Sequence, residues 1–170
     1  MRVMFIQKEG VPLHHTLIAS ETSRRALRFY QPEKKTWGVE ISVTSLGSAL
    51  SLVSELRWYI RRYMTAVLFE LSPGIFCTHA LSREVHYQRD VKLTEAWEWR
   101  KMYVIRGERV ASIEPMDPGS IITDFTDKFG PADMSLEVWC TEEEIGEALG
   151  DEGDRPGSEP PGIEDNTARL

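Results

Sequence analysis

The residues of this chain best suited to chemistry are four histidines and two cysteines, and their spacing argues against most reactions. His14-His15-Thr16 contains one H-x-T triplet. Acid–base chemistry by paired triplets of that kind needs a second one. His79 is followed by Ala80-Leu81 and His86 by Tyr87-Gln88, so the partner is missing. A small hydrolase using His14 or His15 is thus a minor reading, and the two are expected as polar residues at a strand edge. Cys77, His79, His86 and Cys140 would make four zinc ligands in number. Structural zinc sites, however, show two close pairs such as C-x2-C and H-x3-H, and here only Cys77-x-His79 is close. A nucleophilic cysteine needs a nearby base and a depressed pKa, and no such arrangement is legible. Leu46-Gly47-Ser48 has one glycine and no following Gly-Lys-Ser/Thr, so it reads as the start of a capped helix rather than a phosphate loop. No catalytic set, metal or cofactor is expected.

Charge is more informative. Residues 1–110 hold 17 Lys/Arg against 11 Asp/Glu, and residues 111–170 hold 3 against 16. The formal net charge of −7 therefore conceals a basic body with an acidic end, a pattern that speaks of partners rather than of fold. Six arginines form the candidate anionic-surface site. Arg24, Arg25 and Arg28 are close enough for at least two to share a helix face. Arg57 and Arg61 stand four apart on a second helix, with Arg62 beside them. The planar guanidinium fork suits phosphate. The bland alternative is scattered surface charge. Trp58, Tyr59 and Tyr63, and Trp97, Trp99 and Tyr103, are expected chiefly in the core, although aromatics beside arginines also serve base stacking and membrane interfaces.

The elements that must place these side chains follow from periodicity. Arg2 to Gln7 and Leu13 to Ala19 are expected as strands, and Glu21 to Tyr30 opens a short helix. Pro32-Glu33-Lys34-Lys35 is expected as a polar turn. Trp37, Val39, Ile41 and Val43 alternate along a half-buried strand. From Leu46 the apolar residues recur at helical spacing, which predicts one amphipathic helix over 45–63, capped by Thr44 or Ser45. Beyond Pro73-Gly74 the pattern becomes β: 75–81, 84–88, 97–105 and 109–113, with a hairpin turn at Arg106-Gly107-Glu108. Residues 115–119 read as a loop and 121–129 as ambiguous. Met134 to Trp139 is a last strand, and Thr141-Glu142-Glu143-Glu144 matches a capping box at the start of a short helix.

One family resemblance rests on particular stretches. A strand, a long amphipathic helix ending in Ser72-Pro73-Gly74, and β segments with a Trp-rich stretch resemble the order in rhabdovirus matrix proteins of the lyssavirus type. Asp133-Met134-Ser135-Leu136 running into Thr141-Glu142-Glu143 is similar to the end of those chains, so the likeness covers about residues 37–143. It implies a non-enzymatic protein that self-associates and joins membrane to nucleocapsid. The chain begins in an apparent strand instead of a flexible basic arm and carries no P-P-x-Y motif, so no link to host budding machinery is implied.

These readings converge on a single α+β domain over residues 1–150. A mostly antiparallel sheet is packed by one long amphipathic helix, and a disordered acidic tail covers residues 151–170. The expected function is a non-enzymatic binding or assembly protein with a basic face for membrane lipid, RNA or nucleoprotein. The alternative is an inhibitor or adaptor that meets a protein partner through its acidic C-terminal region. Self-association is compatible with either, and no small-molecule substrate is expected. Two cysteines without close spacing, no apparent secretory signal and no apolar run of membrane-spanning length lead us to expect an intracellular, cytoplasmic protein with free thiols, peripheral at a membrane at most.

Overall fold

The computed structural model describes residues 1–88 and 97–150. The expected tail over 151–170 lies outside them. The chain order is β1 (Arg2–Gln7), α1 (Leu13–Ala19), α2 (Glu21–Ala26), β2 (Glu33–Lys35), β3 (Gly38–Ser42), α3 (Leu46–Glu55), α4 (Arg57–Tyr63), β4 (Met64–Ser72), β5 (Ile75–Thr78), α5 (His79–Gln88), β6 (Arg100–Arg106), β7 (Arg109–Met116), α6 (Ile122–Phe129), β8 (Met134–Trp139) and α7 (Glu142–Gly150). This is a single α+β domain. Among the described residues an eight-stranded mixed sheet runs β2-β3-β1-β4-β5-β8-β6-β7, in which only β5 and β8 pair in parallel.

Alternation along the strands builds two apolar layers. Val3 and Phe5 of β1, Val39 and Ile41 of β3, and Phe69 of β4 face α1 to α5, and meet Leu13, Leu17, Leu52, Val53 and Leu56 there. Burying a side chain of this type contributes roughly 1.5–3 kcal/mol. On the opposite face, Met4 and Ile6 share a cluster with Tyr103 and Ile105 of β6, although three strands separate β1 from β6 in the sheet. The sheet therefore coils round this second layer until β1 and β7 come into contact. At β3, Gly38 has φ +150°, and a Cβ there would lie 2.0 Å from the carbonyl oxygen of Phe5, so the close approach of β1 requires glycine.

Several expectations need correction. The single helix over 45–63 is two: α3 ends at Glu55 and α4 starts at Arg57, joined at Leu56 (φ −89°, ψ 5°). Its two outer limits hold, and Ser45 is the N-cap, its hydroxyl accepting the Ser48 N–H at 3.2 Å. No proline or glycine sits at the break. Leu56 is wholly buried, and its N–H still donates to the Leu52 carbonyl while its own carbonyl accepts from the Ile60 N–H, both at 3.0 Å. Residues 13–19 form a helix instead of a strand, with Leu13 and Leu17 buried one helical turn apart. Residues 84–88 lie in α5, which Thr78 caps by accepting the Leu81 N–H at 3.3 Å. Residues 33–35 are not a turn but an edge strand on β3, with Lys35 opposite Gly38. Ambiguous 121–129 holds a helix. Met134–Trp139 is a strand over the predicted span, and Gly107 (φ +59°) makes the predicted hairpin turn.

Candidate anion-binding site

The helical layer carries all six predicted arginines, and every one is exposed. Arg24 and Arg25 occupy the last turn of α2. Arg28 follows the helix and places its guanidinium carbon 4.5 Å from the centroid of the Phe29 ring, which is itself 80% exposed. A hydrogen bond between the Ser20 and Tyr59 hydroxyls holds the start of α2 against α4.

α4 has only seven residues, and its helical repeat of 3.6 divides its side chains into stripes. Tyr59 points to α2 and is buried. Trp58 and Arg62 form an outward stripe, with Trp58 58% exposed and the Arg62 guanidinium carbon 5.6 Å from its ring centroid. Arg57 and Arg61 form a third stripe that turns into a cleft. Lys8 adds another cation at the end of the helix, donating to the Arg61 carbonyl at 3.1 Å. Cations suit a helix C-terminus.

That cleft encloses about 540 Å³ between α3, α4 and α5. Leu50 and Val53 of α3 and Ile60 of α4 provide its apolar lining. Across from Arg57 and Arg61 stand His79, Arg83 and Tyr87, one helical turn apart along α5. The His79 ring stacks on Phe69 at 5.8 Å between centroids. Burial against its neighbours, and then the charge of Arg83, lower its pKa below 6.5. Among the described residues, the ion pairs are those of Arg2, Lys35, Arg100 and Arg109, and none involves these helical arginines.

The structure thus splits the six arginines into three neighbouring groups: those of α2, Arg62 on Trp58, and Arg57 with Arg61 in the cleft. Arg83 and Tyr87 escaped the sequence reading, and His79 entered it only as a zinc-ligand candidate. Their i, i+4, i+8 spacing was visible, but only a helical assignment of 79–88 gives that spacing a meaning. Of the six aromatics expected chiefly in the core, Tyr59 and Tyr103 are buried, Tyr63, Trp97 and Trp99 are half-buried, and Trp58 is exposed.

The remaining chemical candidates are placed elsewhere. His14 lies on α1, its Nε2 3.2 Å from the Pro32 carbonyl oxygen, and neither His14 nor His15 is on a strand. Cys77 and Cys140 are free and buried. Burial, against the opposing charge of Lys101, pushes the Cys140 thiol up to about 12. Burial, and then Glu144, push Cys77 higher still. Neither is a thiolate at neutral pH. Among the described residues no three His, Cys, Asp or Glu side chains are grouped to hold a metal ion, and no helix is long and apolar enough to cross a membrane.

Fold and site together define a coiled-sheet α+β protein with an arginine-rich helical layer. Residues 1–105 match a family of unknown function (DUF5804), and the chain belongs to that family. The matched stretch includes every arginine of the helical layer, whereas β7, α6, β8 and α7 follow it. No curated protein and no solved structure matches the chain. Nothing here links it to rhabdovirus matrix proteins. The stretch before Ser72-Pro73-Gly74, expected as the end of a helix in that resemblance, is β4.

Proposed function

We propose that this protein is a non-enzymatic binding protein whose helical layer takes a single-stranded nucleic acid. The observation that carries this reading is the exposed Trp58–Arg62 stack, set between the arginines of α2 and those of the cleft, with no carboxylate paired to any of them among the described residues. Single-strand binders combine a cationic track for the backbone with aromatic faces on which bases stack, and each stacked base is worth about 1–3 kcal/mol. Phe29 beneath Arg28 supplies a second such face. The acidic residues of α7, Glu142 and Glu143 among them, belong to the acidic end of the chain, which on this reading limits the contact by repelling the same polyanion.

Exposed Trp and Phe beside arginine also suit the interface of an anionic membrane, so vesicles serve as the competing ligand. The test is charge reversal of Arg57, Arg61 and Arg62 to Glu in the full chain. Loss of binding to an unstructured oligothymidylate, with thermal stability maintained, supports the reading. Unchanged binding contradicts it, and binding to anionic vesicles alone transfers the face to a lipid role.

A further inference from the structure

We propose that the cleft between α3, α4 and α5 is a binding site for a phosphate monoester, with Arg57, Arg61 and Arg83 on the phosphoryl oxygens and Tyr87 against an attached aromatic base. The site shares Arg57 and Arg61 with the proposed strand-binding face, and it rests on that reading for the nature of the base.

Three features of the cleft select this ligand. Its volume, 540 Å³, falls within the ~300–1,000 Å³ that small ligands occupy. Arginines from two different helices converge on it, and among the described residues its lining contains no carboxylate. Three forked cations match the three terminal oxygens and double charge of a monoester. A carboxylate, or a diester within a strand, offers only two such oxygens and one charge. The apolar side chains Leu50, Val53 and Ile60 line the same space and lower the local dielectric, which strengthens each charge–charge contact.

The rim then suggests what the phosphate is attached to. Tyr87 is 68% exposed and T-stacked with His86, so its ring remains open to a flat partner. A base on a phosphorylated sugar is a partner of suitable size. Such a monoester comes either from a free nucleotide or from the 5′ end of a strand.

Calorimetric titration of the full chain distinguishes these sources. Adenosine 5′-monophosphate and adenosine form one pair of probes, and oligothymidylate octamers with a 5′-phosphate or a 5′-hydroxyl form the other. The site predicts that the monophosphate binds and adenosine does not. Arg83→Gln should weaken the monophosphate at least tenfold, yet leave the 5′-hydroxyl octamer unaffected. Arg83→Lys, which retains the charge and loses the fork, should fall between. An unchanged melting temperature for both variants excludes misfolding as the cause. Tighter binding of the 5′-phosphorylated octamer identifies a strand end, and equal octamers with a bound monophosphate identify a free nucleotide. Equal heats from adenosine and its monophosphate, or a monophosphate affinity untouched by Arg83→Gln, overturn the proposal. A 5′-hydroxyl octamer that fails to bind discredits the strand-binding face alone, because the monophosphate still reports on the cleft.

Discussion

Arg62 lies over the indole of Trp58, its guanidinium carbon 5.6 Å from the ring centroid, and the pair stands on the outward side of a seven-residue helix. A large aromatic left 58% exposed contributes little to the core. Trp58→Ala, which removes its edge-on contacts with Tyr59 and Tyr63, is therefore expected to cost only about 1 kcal/mol of folding stability. Its affinity for a 5′-hydroxyl oligothymidylate should fall by about 1–3 kcal/mol, the value of one stacked base. Urea unfolding and fluorescence anisotropy with labelled oligonucleotide measure the two quantities separately. A large loss of stability would place Trp58 in the core instead.

Glu144 joins two helix starts. Its Oε2 accepts the Thr78 hydroxyl at 2.8 Å and the Thr141 N–H at 2.9 Å, while Thr78 also accepts the Leu81 N–H of α5. The capping box of α7 thereby holds in place the helix that carries Arg83. Glu144→Ala removes one cap and leaves the buried Thr78 hydroxyl without its acceptor. The expected cost is about 2 kcal/mol in chemical denaturation. Glu142→Ala, on the exposed side of the same turn, should cost a fraction of that.

Arg2 binds Glu70 through two nitrogens, at 2.9 and 2.6 Å. The hydrogen bond from Arg2 holds the Glu70 pKa below its ordinary value of 4.5, against the opposing effect of burial. A carboxylate whose folded pKa is depressed stabilises the fold fully above 4.5, and that contribution disappears as pH falls through the folded value. Wild-type stability should therefore drop below pH 4.5 more steeply than that of Glu70→Gln. Arg2 is 42% exposed, so the difference is modest, and melting temperatures from pH 6 to pH 3 would reveal it. Parallel curves would mean that the pair contributes nothing to folding.

The sheet was more legible than the helices. β3 alternates against a core and periodicity identifies it directly, whereas β1 is a short continuous apolar run, Val3 to Ile6, buried on both faces. The capping box at Thr141-Glu144 was equally plain because both halves of the motif lie within four residues. Residues 13–19 and 84–88 defeated the reading because they are short and rich in residues that suit either state. Leu13 with Leu17, and Leu81 with Val85, settle the matter only once their tertiary neighbours are known. The break at Leu56 has no local signal, because no proline or glycine marks it and Leu56 continues the apolar periodicity. That break matters for the candidate site, because α4 and not a straight continuation of α3 presents Arg57 and Arg61 to α5. The six arginines were legible as a set, but their division into an outer face and a cleft was not.

The central claim is that the helical layer binds a strand through its phosphates. The most direct test is the salt dependence of oligothymidylate affinity, plotted as the logarithm of the association constant against the logarithm of salt concentration. Each phosphate neutralised on a single strand contributes a slope of about −0.7. Arg57, Arg61 and Arg62 changed together to Gln should make the slope shallower by about 2, and Arg24, Arg25 and Arg28 changed together should have a similar effect. A slope near zero for the wild-type chain, or one that neither triple variant alters, would contradict the account.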